Sequence, residues 1–186
     1  LFVTTTAPEY ESILKGKYDY SSDVVKLTGF PRYDRLYRQE KKQIAIMPTW
    51  RAYLVTGIDP RTGKRELKPG YCESRYFAMY HELLNCQRLF DCAQELGYTI
   101  AFMHHPNMIC AKDSMNSDHR LQLLEQNVAY RTVFAESDLL VTDYSSVAFD
   151  FAYLRKPVIY YQTDKEEFFS GAHTYEKGYF ETALAR

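Results

Sequence analysis

The sequence lacks any strong excess of charge: 23 Lys and Arg stand against 24 Asp and Glu over 186 residues, a net charge of −1. Such a balance exerts no bulk pull on nucleic acid or on an anionic membrane, so nucleic acid is not an expected partner. No apolar run approaches the roughly 18 residues of a membrane span, and no signal peptide is visible. Cys72, Cys86, Cys92 and Cys110 show no CxxC spacing. They are read as free, buried thiols in a reducing compartment. No internal repeat or low-complexity tract is present. The sequence also lacks the compact carboxylate cluster that magnesium favours, and no His or Cys has zinc-ligand spacing to His104 and His105. The sequence thus shows no required metal or cofactor.

What is present suits a globular chain. The apolar fraction is 46%, enough for one substantial core, and residues 1–186 are read as a single domain. The 17 tyrosines are spread along the chain, which favours half-buried packing with a polar tip over a base-stacking platform. The chain opens on Leu1-Phe2-Val3, without methionine and within a strand-like run. It is expected to be a fragment of a longer protein.

Short apolar runs alternate with helical patterns. Strands are predicted over residues 1–5, 24–27, 43–47, 98–103, 139–142 and 157–161, and helices over 7–15, 76–96, 119–126 and 145–154. Residues 32–39 are expected to begin a short helix or linker, and 164–170 to form a closing turn or helix. Pro60, Gly63 and Pro69 mark an exposed loop over 59–70. This alternation indicates βαβ units and a parallel sheet, an α/β Rossmann-like fold. Such sheets bind ligands beyond the carboxyl ends of their strands.

Four turns that follow predicted strands carry the unusual polar residues: Gly29-Phe30-Pro31-Arg32, Pro48-Thr49-Trp50-Arg51, His104-His105-Pro106 and Asp143-Tyr144-Ser145-Ser146. All four are expected on one sheet edge. Ser145 or Ser146 is placed to cap a helix, where free amides and the helix dipole attract an anion. Asp150 lies one turn on, suited to accept from a ribose or another hydroxyl. Alone, this turn fits a capped core helix with a solvated Asp150 equally well.

Two adjacent histidines alternate sides, so one of the pair can face a cleft. The extended backbone that Pro106 imposes favours His105. Arg32 and Arg51 carry the fork that suits phosphate. Thr49 adds a hydroxyl, and Trp50 is read as packing. His81, His119 and His173 are left as surface or structural residues.

Taken in order, Gly29-Phe30-Pro31-Arg32-Tyr33-Asp34, Pro48-Thr49-Trp50-Arg51, His104-His105-Pro106 and Thr142-Asp143-Tyr144-Ser145-Ser146 with Asp150 resemble the CDP-glycerol glycerophosphotransferase family, which includes teichoic acid polymerases. The continuation Phe149-Asp150-Phe151-Ala152-Tyr153-Leu154-Arg155-Lys156-Pro157-Val158 resembles it too, so the likeness runs from about Gly29 to Phe168. Each motif is weak alone; the ordered set is specific. The resemblance implies the C-terminal half of a GT-B-type transferase. It implies transfer of glycerol or ribitol phosphate from a CDP-polyol donor to the hydroxyl of a polymer or glycolipid acceptor, with release of CMP. The positions it implies for the donor are Arg32, Pro48, Thr49, Met103, Ser145, Ser146 and Asp150, with His105, or His104 one residue earlier, acting at the phosphates. It places a second essential histidine in an N-terminal domain outside this chain, and the whole enzyme at the cytoplasmic face of the membrane. Met103 stands where some members carry a basic residue. Two other readings share the residues: a GT-B glycosyltransferase using a nucleotide sugar, and a non-catalytic nucleotide-binding module.

Overall fold

The computed structural model describes residues 1–16, 18–115 and 117–170. His173 lies outside the described residues. The chain forms two compact units, Leu1–Tyr37 and Arg38–Arg186.

In the first unit, β1 (Phe2–Thr4) pairs in parallel with β2 (Val25–Leu27), and α1 (Ala7–Lys15) connects them. The Thr6 side chain accepts from the Glu9 amide to start α1, and Pro8 sits in its first turn, where a missing N–H costs nothing. Gly29, at φ +77°, turns the chain out of β2. A 3₁₀ helix over Pro31–Arg35 follows.

The second unit is built on β3 (Gln43–Ile46), β4 (Thr99–Phe102), β5 (Leu121–Leu123), β6 (Ser137–Thr142) and β7 (Val158–Tyr160). Every pairing is parallel, in the order β5-β4-β3-β6-β7. Helices α2 (Arg75–Leu84), α3 (Gln87–Glu95), α4 (Tyr130–Glu136), α5 (Val147–Tyr153) and α6 (Lys165–Ser170) complete the unit. Ile46, Ile100 and Phe102 pack with Tyr76, Met79, Tyr80 and Leu84 of α2 and with Phe90 and Ala93 of α3. Ala45, Ala101 and Leu140, in register with one another, point to the other face by the strand period. None has exposed surface, so both faces are covered. That is the Rossmann-like arrangement expected of the α/β pattern.

Four expectations change. The helix predicted over 76–96 is two helices. Asn85 ends α2 with its side-chain amide on the His81 carbonyl, and Cys86 is extended before α3 begins. The segment 119–126 is no helix: Leu121–Leu123 adds to the open edge of β4, and Asp118 accepts from the Arg120 amide just before it. The cysteines are free but none is buried. On α3 the buried positions are Phe90 and Ala93, which leaves Cys92 on the exposed side. Several tyrosines are not half-buried but enclosed, among them Tyr71, Tyr76, Tyr80 and Tyr144. Burial pushes their phenols up, so they stay protonated.

Candidate functional site

The strand order reverses at the middle of the five-stranded sheet. From β3 the chain steps outward through β4 to β5, then returns across β3 to β6 and β7. A crevice opens at such a switch point, here beyond the carboxyl ends of β3 and β6. The turns that leave these two strands are Pro48-Thr49-Trp50-Arg51 and Asp143-Tyr144-Ser145-Ser146, and His104-His105 leaves the neighbouring β4. Three of the four expected turns therefore share an edge. The fourth, with Gly29 and Arg32, follows β2 in the separate two-stranded sheet.

The β3 and β6 turns are fastened to each other. Thr142 Oγ1 donates to the Met47 carbonyl at 2.6 Å. The Thr49 amide donates to Asp143 Oδ1 at 2.8 Å, and the Tyr144 amide to the same oxygen at 2.6 Å. Arg51, whose fork would suit phosphate, is fully buried and committed inward. Its guanidinium donates to Asp143 Oδ2, to both oxygens of Asp164 and to the Thr49 carbonyl. It also lies over the rings of Tyr76, Tyr144 and Phe168. Burial opposes its charge, but Asp143 and the hydrogen-bonded Asp164 outweigh that and raise its pKa. Four of its five N–H donors have protein acceptors, so it is a brace rather than an anion receptor.

Asp143 and Asp164 are thus organising residues that the sequence reading left without a role. Their only local signal was a carboxylate in the turn that follows a strand; the arginine they share lies 92 and 113 residues away in sequence.

Thr49 is enclosed, and its hydroxyl finds no hydrogen-bond partner among the described residues. A buried hydroxyl left unpaired costs free energy that a ligand can restore. Pro48 beside it is buried. Ser145 Oγ accepts from the Val147 amide at 3.4 Å, whereas Ser146, at the cap position, makes no capping bond with its side chain and is exposed. Asp150 is buried in the first turn of α5, so the solvated alternative does not hold.

The two histidines separate cleanly. His104 is buried edge-on to Phe102, with ring centroids 4.7 Å apart. Burial, helped by Lys112, lowers its pKa to about 4, so the ring is neutral near pH 7. His105 is half-buried and stacks on Trp50. Its Nδ1 accepts from the Asn107 amide at 3.2 Å, which puts the proton of the neutral ring on Nε2. Met103 continues the ladder of β4 through its amide to Ile46, and its side chain is enclosed.

In the first unit, Arg32 is exposed on its 3₁₀ helix, with its guanidinium over Phe30 and Tyr33 at 4.5 and 5.2 Å. His81 stacks on Phe77, and His119 is exposed. Among the described residues no group of three His, Cys, Asp or Glu is placed to hold a metal ion.

A family model described as CDP-Glycerol:Poly(glycerophosphate) glycerophosphotransferase matches residues 2–183. The minor teichoic acid biosynthesis protein GgaB of Bacillus subtilis (strain 168) is 42% identical over 170 residues, covering 91% of this chain and 19% of its own length. A teichoic acid glycerol-phosphate transferase of Staphylococcus aureus (strain NCTC 8325 / PS 47) is 24% identical over 185 residues, covering 90% of this chain and 42% of its own. Among solved structures, the wall teichoic acid polymerase TagF shares the fold with a TM-score of 0.58 at 20% identity, over 96% of this chain and 43% of that one. The chain therefore spans less than half the length of these relatives.

Proposed function

Because the chain belongs to the CDP-glycerol:poly(glycerophosphate) glycerophosphotransferase family, we propose that it binds the CDP-polyol donor of a transferase making teichoic acid or a related capsule-like polymer. The observation that carries the reading is Thr49: a buried hydroxyl without a hydrogen-bond partner among the described residues, at the switch point of a parallel sheet.

In this proposal residues 1–186 act as one donor-binding domain. Thr49, Ser145 and Ser146 hold the donor phosphates, with Pro48 and Met103 shaping the turns behind them. Asp150 accepts from a donor hydroxyl. His105, not the buried His104, donates from Nε2 to a phosphate oxygen. Arg32, carried by the other unit, is a donor-binding candidate on the family pattern alone.

The acceptor hydroxyl attacks the phosphorus that bears the polyol, and the bond from that phosphorus to the CMP oxygen breaks. Little covalent help is needed; positioning and charge stabilisation do most of the work. The base that takes the acceptor proton belongs to a partner domain outside this chain, so this chain binds donor without turnover. No helix among the described residues is long and apolar enough to cross a membrane. Work at the cytoplasmic membrane face is assigned to the whole enzyme.

The named relatives all concern teichoic acid. That favours a CDP-polyol over a nucleotide sugar and over a non-catalytic module. A thermal-shift panel tests the reading. CDP-glycerol or CDP-ribitol is expected to raise the melting temperature and UDP-sugars to leave it unmoved; failure of CDP and CMP to raise it overturns the proposal.

A further inference from the structure

We infer that Trp50 is a positioning residue for His105; the inference rests on the donor-site reading above. The two rings are stacked, with centroids 6.1 Å apart and planes inclined by 17°. Trp50 makes a firm platform because the chain is pinned on both sides of it. The Thr49 amide is held by Asp143, and the Arg51 side chain is locked between Asp143 and Asp164.

The indole is held from the following loop as well. The Arg65 guanidinium lies 5.1 Å from its ring centre, and Arg65 Nη1 donates to the Thr56 carbonyl at 2.6 Å. That loop is closed by the Thr56 amide on the Glu66 carbonyl and by the Val55–Leu67 bridge.

Two constraints then act on one imidazole. The Asn107 amide fixes Nδ1 as the acceptor, and the indole fixes the plane of the ring. A side chain ordered before its ligand arrives loses less freedom on binding. His105 is half-buried rather than enclosed, and both the stack and the Asn107 amide help to order it.

A double-mutant cycle on CDP affinity tests the inference, with CDP titrated calorimetrically into this chain. Trp50→Leu is expected to weaken binding by about 5-fold, within the range seen for residues in contact. In a His105→Gln background the same change is expected to cost nothing further. A merely structural tryptophan would weaken binding equally in both backgrounds, and that result, or no loss in either, overturns the inference.

Trp50→Phe keeps a stacking face and serves if the leucine variant does not fold. It is expected to bind CDP within about 2-fold of the parent, and a loss as large as that of His105→Gln overturns the inference. If His105→Gln itself binds CDP as tightly as the parent, the role of His105 in the donor reading fails and the inference falls with it. Additive losses sink the inference alone.

Discussion

Arg51 and Asp164, 113 residues apart in sequence, are joined by two buried hydrogen bonds of 2.8 and 3.1 Å. The same guanidinium holds Asp143 and the Thr49 carbonyl. One side chain thus ties together the turns after β3 and β6 and the residue that opens α6. The geometry of the crevice depends on this brace, although the brace itself has little capacity left for a ligand.

Removing the cation would leave two carboxylates buried. Breaking a buried ion pair from one side typically costs about 3–5 kcal/mol, so Arg51→Met is expected to destabilise the chain by that order. Arg51→Lys is expected to recover part of it, because one ammonium cannot reproduce the fork. Urea unfolding measures both. A loss below about 1 kcal/mol for Arg51→Met would remove the brace from the account.

A second internal cation acts at the opposite end of β6. Lys156 Nζ donates to the carbonyls of Phe134, Ala135 and Ser137 at 2.8, 2.7 and 2.8 Å, closing the junction where α4 passes into β6. Lys156→Met keeps the length of the stem and leaves these carbonyls without the ammonium. The expected cost is about 3 kcal/mol, read by thermal or urea unfolding. CDP affinity is expected to stay near the parent value where the variant remains folded.

His104 gives the chain an acid limb. Burial lowers its pKa from 6.5 to about 4, so the unfolded chain binds more protons between those values. Stability is therefore full above about pH 6.5 and falls as pH drops through the window. From pH 7 to pH 5 the loss attributable to this ring is about 2 kcal/mol. His104→Gln is expected to flatten that part of the profile. An unchanged slope between pH 7 and pH 5 would contradict the assignment.

The parallel sheet was legible because short apolar runs such as Ile44-Ala45-Ile46 and Leu139-Leu140-Val141 are stopped by polar turns. The site edge was legible for the same reason: Pro48-Thr49, His104-His105 and Ser145-Ser146 each follow such a run. Other features were set by distant partners. Leu121, Leu123 and Leu124 fit a helical spacing as well as a strand; the free edge of β4 decided between them. The apolar period runs on through Asn85 and Cys86, so the break between α2 and α3 left no mark in it. Arg51 carries the same local signature as a phosphate-binding arginine, and only Asp164, far along the chain, claims it. Arg32 shares that signature but is carried by the other unit.

The most direct measurement is CDP titration into the parent chain and into Thr49→Val, with melting temperatures taken alongside. Valine keeps the volume of threonine and removes a hydroxyl that no described residue satisfies. The expected result is a melting temperature equal to or above the parent's and CDP binding weakened by roughly tenfold, about the worth of one buried hydrogen bond to a charged group. A lower melting temperature with unchanged CDP affinity would show that the hydroxyl serves the fold, and would contradict a donor site at the β3–β6 crevice.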